Sequence, residues 1–116
     1  MYKLAAVFSF LAAPVLATGL QIEVAGEGAN GVITVDLLED VAPNHVAHIA
    51  ALAADGIYDN VVFHRVIDGF MAQTGDVQYG KAGADTSRAG MGGSDKPDLK
   101  AEFSEVPYDR GIVGMA

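Results

Sequence analysis

Apolar and polar residues alternate through Leu20-Gln21-Ile22-Glu23-Val24, the period of a strand with one face turned inward. The run Val32-Ile33-Thr34-Val35-Asp36-Leu37-Leu38 is rich in β-branched residues and predicts a second strand, and Asn30-Gly31 between the two is a hairpin signal. The period then changes. Val46, Ile49, Ala50 and Ala53 recur at helical spacing, which predicts a helix with Pro43 in its first turn and Gly56 as a left-handed stop. Val61 to Val66 and Phe70 to Gln73 read as paired strands that turn through Ile67-Asp68-Gly69. From Val77 to Lys100 the chain is mostly Gly, Ala, Asp, Ser and Lys, a long surface loop whose far end Phe103 and Tyr108 are expected to pin. Gly111 to Ala116 reads as the start of a further strand. This order predicts a mainly β fold with one helix, for which an incomplete barrel or a sandwich is the natural architecture.

The N-terminus follows a different pattern. Lys3 precedes an apolar stretch from Leu4 to Leu16, and Val15-Leu16-Ala17 supplies small residues before Thr18. That is the layout of a signal peptide cut after Ala17, and the apolar stretch is short for a membrane span. The competing assignments are a buried N-terminal helix and an uncleaved anchor; Pro14 weakens the first. We expect export, to the periplasm if the source has two membranes, and no stable membrane span once the signal is removed. Residues 18–116 then form one domain, within the size of a single core.

Charge and composition narrow the function. The 116 residues carry a formal net charge of −8, and Lys3 is the only charged residue among the first 17. Without it, six basic residues face fifteen acidic ones and leave −9. A phosphate backbone is repelled by such a domain, so nucleic acid is not an expected partner. Cysteine is absent, which excludes disulfides, thiolate metal sites and thiol nucleophiles. Gly26-Glu27-Gly28-Ala29-Asn30-Gly31 satisfies GxGxxG, but a dinucleotide site needs a helix at that point and a strand is predicted instead. His45 and His48, three apart on the predicted helix, have no third ligand at a suitable spacing and read as a solvated face, so no metal site is expected.

The remaining chemistry lies in the strand pair. Alternation puts Phe63 and Arg65 on one face and His64 on the other, while Met71 and Gln73 share a face of the second strand. A guanidinium fork and an amide suit peptide carbonyls, and phenylalanine and methionine suit a small apolar ring. Spacing alone favours the plainer alternative, in which Phe63, Phe70 and Met71 are core and Arg65 is a surface charge.

The stretch Tyr58 to Asp76, with Phe63-His64-Arg65-Val66-Ile67-Asp68-Gly69-Phe70-Met71-Ala72-Gln73 at its centre, resembles the signature of the cyclophilin-type peptidyl-prolyl cis-trans isomerases. Val41-Ala42-Pro43 and Arg110 to Ala116 resemble further segments of that family in the same order, with poor agreement between Val77 and Ala101. The resemblance implies a cyclophilin-like β-barrel, of which this chain would supply the first five strands and first helix, truncated at the C-terminus. It implies Arg65 as the catalytic arginine, Phe70 and Met71 in the proline pocket, and Gln73 on a substrate carbonyl. Gly90 matches a loop glycine at the edge of the substrate groove, Ala116 the start of a segment that also lines the groove, and His64 a structural histidine. Thr74 and Asp68 depart from the glycine and proline common in the family, and the family's later pocket residues have no counterpart before Ala116. The implied activity is isomerisation of X-Pro bonds in proline-containing polypeptide clients during folding of exported proteins, without a cofactor. An inactive fragment, or a proline-peptide-binding chaperone module without turnover, is the alternative.

Overall fold

The computed structural model describes residues 18–116, so the segment read as a signal peptide lies outside the described residues. Four strands and one helix follow in the order β1 (Gly19–Val24), β2 (Gly31–Asp36), α1 (Pro43–Ala54), β3 (Phe63–Ile67) and β4 (Met71–Thr74). The strands form two antiparallel hairpins, β1–β2 and β3–β4, each a two-stranded sheet.

Strand β1 obeys the alternation, whereas on β2 only Val35 is half-buried and the apolar Val32 and Ile33 are exposed. Leu20 pairs with Val35 and Ile22 with Ile33, and Leu20, Ile22, Val24 and Val35 are half-buried while Gln21, Glu23 and Thr34 face solvent. Its turn is not built on Asn30-Gly31 as a two-residue loop. Ala29 N–H closes on the Gly26 carbonyl at 3.2 Å with Gly28 at φ +76°, and the Asn30 side chain accepts the Gly26 N–H at 3.2 Å. A strand, not a helix, follows the glycines, so their N–H groups do not form a dinucleotide cradle.

Helix α1 starts on Pro43, where the missing N–H leaves no intrahelical bond unmade. It ends in a Schellman arrangement: Gly56, at φ +73°, donates its N–H to Ala53, and Ile57 donates to Leu52. The predicted Val46 is buried, but the deepest side chain is Leu52, 5% exposed, which lies one turn beyond Ile49 on the same flank. Ala42, the N-cap residue, offers no side-chain bond to the helix. The cap comes from far along the chain: Glu102 accepts the N–H groups of Asn44 at 3.1 Å and His45 at 2.9 Å and the Asn44 side-chain amide at 3.0 Å. Burial pushes the Glu102 carboxyl up, and the N–H groups of His45 and Asn44 outweigh it and hold the group below its usual range. A carboxylate at this end also meets the positive end of the helix dipole.

Three expectations are corrected here. His45 is not on a solvated face; it is half-buried, with Nε2 2.9 Å from the Lys100 carbonyl and 3.8 Å from Glu102. Phe103 and Tyr108 do not pin the loop, being 95% and 78% exposed; Glu102 and His45 make that attachment with polar bonds instead. Residues 111–116 are not in a strand, because no described segment lies alongside to complete a ladder, and the Ile112 N–H closes a turn on Asp109. Among the described residues, no helix is long and apolar enough to cross a membrane.

Candidate functional site

The β3–β4 hairpin is tight because Gly69 sits at φ +73°, a left-handed conformation that glycine adopts without strain. The Phe70 N–H closes the turn on the Ile67 carbonyl at 3.0 Å. From there the register runs Ile67 to Met71, Val66 to Ala72 and Arg65 to Gln73. Residues opposite one another share a face, and so do residues two apart. Arg65, Gln73 and Met71 therefore lie on one face of the hairpin, with Ile67 beside Met71. Arg65 is exposed, and Gln73 and Met71 are half-buried.

The ladder then slips. Phe63 pairs with Thr74, so one residue too many lies on β3 between Phe63 and Arg65, and the extra residue is His64. The bulge carries Phe63 out of phase with the Arg65–Gln73 pair. The expected sharing of a face by Phe63 and Arg65 is thus not what the register produces, because simple alternation holds only in an unbroken ladder. Thr74, the departure from the family's glycine, donates its hydroxyl to the Val62 carbonyl at 2.8 Å and fastens the strand at this irregular point.

Phe70 belongs to the turn and not to β4, and it is 75% exposed at the tip of the hairpin. Ala116 is exposed in the irregular C-terminal stretch and is not paired with β3 or β4. Gly90 does reach the bulge. A Cβ on it would stand 3.0 Å from the His64 ring, and its own φ is +101°. His64 is thereby packed against the loop.

Gly90 is held there by a residue that pattern reading gave no role. Asp76 is 3% exposed, and its carboxylate accepts four backbone N–H groups: Gln78 at 3.0 Å and Tyr79 at 2.8 Å on Oδ1, Gly90 at 2.7 Å and Gly92 at 3.0 Å on Oδ2. Burial alone would push this carboxyl up, but the donors from Tyr79, Gly92, Gly90 and Gln78 outweigh it and bring it down to about 2. Oxygens of one side chain thus fold both ends of the 76–92 loop toward β3. The Arg88 guanidinium stacks over the Tyr79 ring at 4.2 Å within the same loop. A depression of about 460 Å³ is lined by Val62, Phe63, His64, Thr86, Ser87 and Ala89; it includes none of Arg65, Met71 or Gln73.

Chemically, the Arg65 face offers a planar fork of donors and an amide next to a polarizable apolar side chain. It can hydrogen-bond backbone carbonyls of an extended peptide and hold a small ring. Gly90→Ala is expected to weaken the fold by about 1–3 kcal/mol, since the new Cβ meets the His64 ring and the backbone is left-handed. Urea denaturation checks this; an unchanged midpoint would mean that the loop sits elsewhere.

A family model described as cyclophilin type peptidyl-prolyl cis-trans isomerase/CLD matches residues 20–116. The chain is 55% identical over 89 residues, 75% of its length and 45% of the relative's, to a probable peptidyl-prolyl cis-trans isomerase of Brucella suis biovar 1 (strain 1330). It is 37% identical over 92 residues, 78% of its length and 55% of the relative's, to a peptidyl-prolyl cis-trans isomerase of Synechococcus elongatus. The chain thus spans about half the length of these curated relatives. No solved structure matches it.

Proposed function

This chain belongs to the family of cyclophilin-type peptidyl-prolyl cis-trans isomerases, and we propose that it accelerates X-Pro bond rotation in proline-containing polypeptides, with Arg65 as the catalytic group. The observation that carries this reading is the Arg65–Gln73 cross-strand pair with Met71 on the same face. Rotation about an X-Pro bond meets a barrier of about 18–20 kcal/mol set by amide resonance. In the twisted state the resonance is broken and the lone pair localises on the prolyl nitrogen. A guanidinium N–H of Arg65 donates to that nitrogen only when the bond is twisted, so it stabilises the transition state more than either planar state. Gln73 holds a neighbouring carbonyl, while Met71 and Phe70 receive the pyrrolidine ring. Gly90 and Ala116 border the groove in this reading, and the two hairpins belong to a β-barrel of the family type. No nucleophile, base or metal enters these steps.

Export is part of the same proposal. It is supported by Lys3, the apolar run Leu4 to Leu16 and the small residues that end at Ala17, and it places the clients among proteins that fold outside the cytoplasm. The deciding measurement is cis-to-trans isomerisation of a proline tetrapeptide followed by protease-coupled absorbance. Uncatalysed, the exchange takes tens to hundreds of seconds. We expect the rate to rise in proportion to protein concentration. A rate that stays at the uncatalysed value while the peptide binds would replace the enzyme by a binding module.

A further inference from the structure

Thr18 would be the first residue of the chain after cleavage at the signal-like pattern, and the structure ties it down at every polar atom. Its N–H donates to Glu39 Oε2 at 3.0 Å, and its hydroxyl donates to the same oxygen at 2.6 Å. Its carbonyl accepts the Leu37 N–H at 2.8 Å, which extends the β1–β2 ladder one step beyond the Gly19–Asp36 pair. Thr18 and Glu39 are both half-buried. The point where the apolar segment ends is therefore the point where the sheet begins, and a carboxylate stands against the backbone nitrogen at that junction.

We propose that Glu39 is the receptor for the N-terminus made by processing: cutting the Ala17–Thr18 bond turns a neutral amide–carboxylate hydrogen bond into an ammonium–carboxylate pair. In the cut, water adds across the peptide bond; its oxygen goes to the Ala17 carbonyl carbon, which leaves as a carboxylate, and Thr18 N keeps its pair and ends as an ammonium. The catalyst is a signal-peptidase-type protease. No ladder bond is lost, since the first one uses the Thr18 carbonyl. The new ammonium brings a unit positive charge and two further N–H donors to an acceptor already in place, and charge-assisted bonds are about twice as strong as neutral ones. The Thr18 hydroxyl, and after it the Thr18 N–H, hold the Glu39 carboxyl below its usual range, so it is ionised at neutral pH. The first hairpin is consequently tighter in the processed protein than in its precursor.

This rests on the export reading, and the test separates the two. The full chain is expressed in a two-membrane bacterium, the exported species is purified, and its mass is measured. Its α-amine is then acetylated with a succinimidyl ester at pH 7.5. We expect a chain that begins at Thr18. An α-amine has an ordinary pKa of about 7.7–8.0, and pairing with a carboxylate raises it. Labelling should therefore be roughly tenfold slower in the native protein than in the same protein in urea, or in an exported Glu39→Gln variant. A processed chain that starts elsewhere sinks this inference and leaves export standing. An intact Met1 in the cytoplasm sinks both. Equal labelling of native and urea-unfolded protein also overturns it, whether or not the Glu39→Gln variant folds.

Discussion

Replacing Arg65 by alanine is expected to lower proline-peptide turnover by about a hundredfold or more while the folded structure persists. The size follows from the role. A single preorganised donor aimed at charge that develops only in the transition state is worth about 10²–10³ in rate in other enzymes. Persistence of the fold follows from position. Arg65 is exposed on β3, and among the described residues it makes no ion pair, so truncation leaves no buried group without a partner. Arg65→Lys should restore little, because an ammonium cannot reproduce the planar fork that reaches the prolyl nitrogen and a neighbouring carbonyl together. The comparison is made on the protein as the cell produces it, with far-UV circular dichroism and urea midpoints beside the peptide assay. Parent-level turnover in Arg65→Ala would remove the arginine from the mechanism. An unfolded Arg65→Ala protein would contradict its placement on an open face.

The reach of the sequence differed from element to element for physical reasons. The β1–β2 hairpin and helix α1 were legible because their signals are local: period-two alternation in one, helical spacing between Pro43 and Gly56 in the other. The Arg65–Gln73–Met71 face was legible as well, since β4 and the second half of β3 keep a regular ladder. The bulge at His64 was not, because one inserted residue leaves no mark in composition yet reverses the side on which Phe63 lies. Nor was the cap of α1, because Glu102 is 58 residues from Asn44, and no spacing rule links two residues brought together only by the fold. Phe103 and Tyr108 misled for the opposite reason. An aromatic residue in a polar stretch suggests an anchor, but it can act as one only where apolar surface lies within reach. Asp76 was visible as the end of a recognised motif, and its work was not, because its four donors are backbone groups that every residue but proline possesses.

Loss of the Asp76 carboxylate is expected to cost the fold about 3 kcal/mol or more, a large part of the 5–15 kcal/mol typical of a whole domain. In Asp76→Ala the N–H groups of Gln78, Tyr79, Gly90 and Gly92 lose one shared acceptor inside a position that is 3% exposed, and hydrogen bonds to a charged group are the stronger kind. Asp76→Asn should not rescue. Whichever way the amide is turned, its NH₂ meets two N–H donors, either those of Gln78 and Tyr79 or those of Gly90 and Gly92. Failure should spread to the site by a definite route: Gly90 leaves the His64 ring, and the bulge that precedes Arg65 loses its support. The pH dependence supplies an independent check. The folded Asp76 carboxyl lies at about 2 against an ordinary 3.8, so the unfolded chain takes up the proton first as the pH falls. The stabilisation is therefore fully present above about pH 4, declines as the pH falls from 3.8 toward 2, and is gone below that. Urea midpoints of the parent and of Asp76→Ala should differ most at neutral pH and draw together as the pH falls toward 2, and using the difference cancels the other carboxylates. A gap of the same size at pH 6 and pH 2 would show that the charge of Asp76 is not what holds the loop against β3.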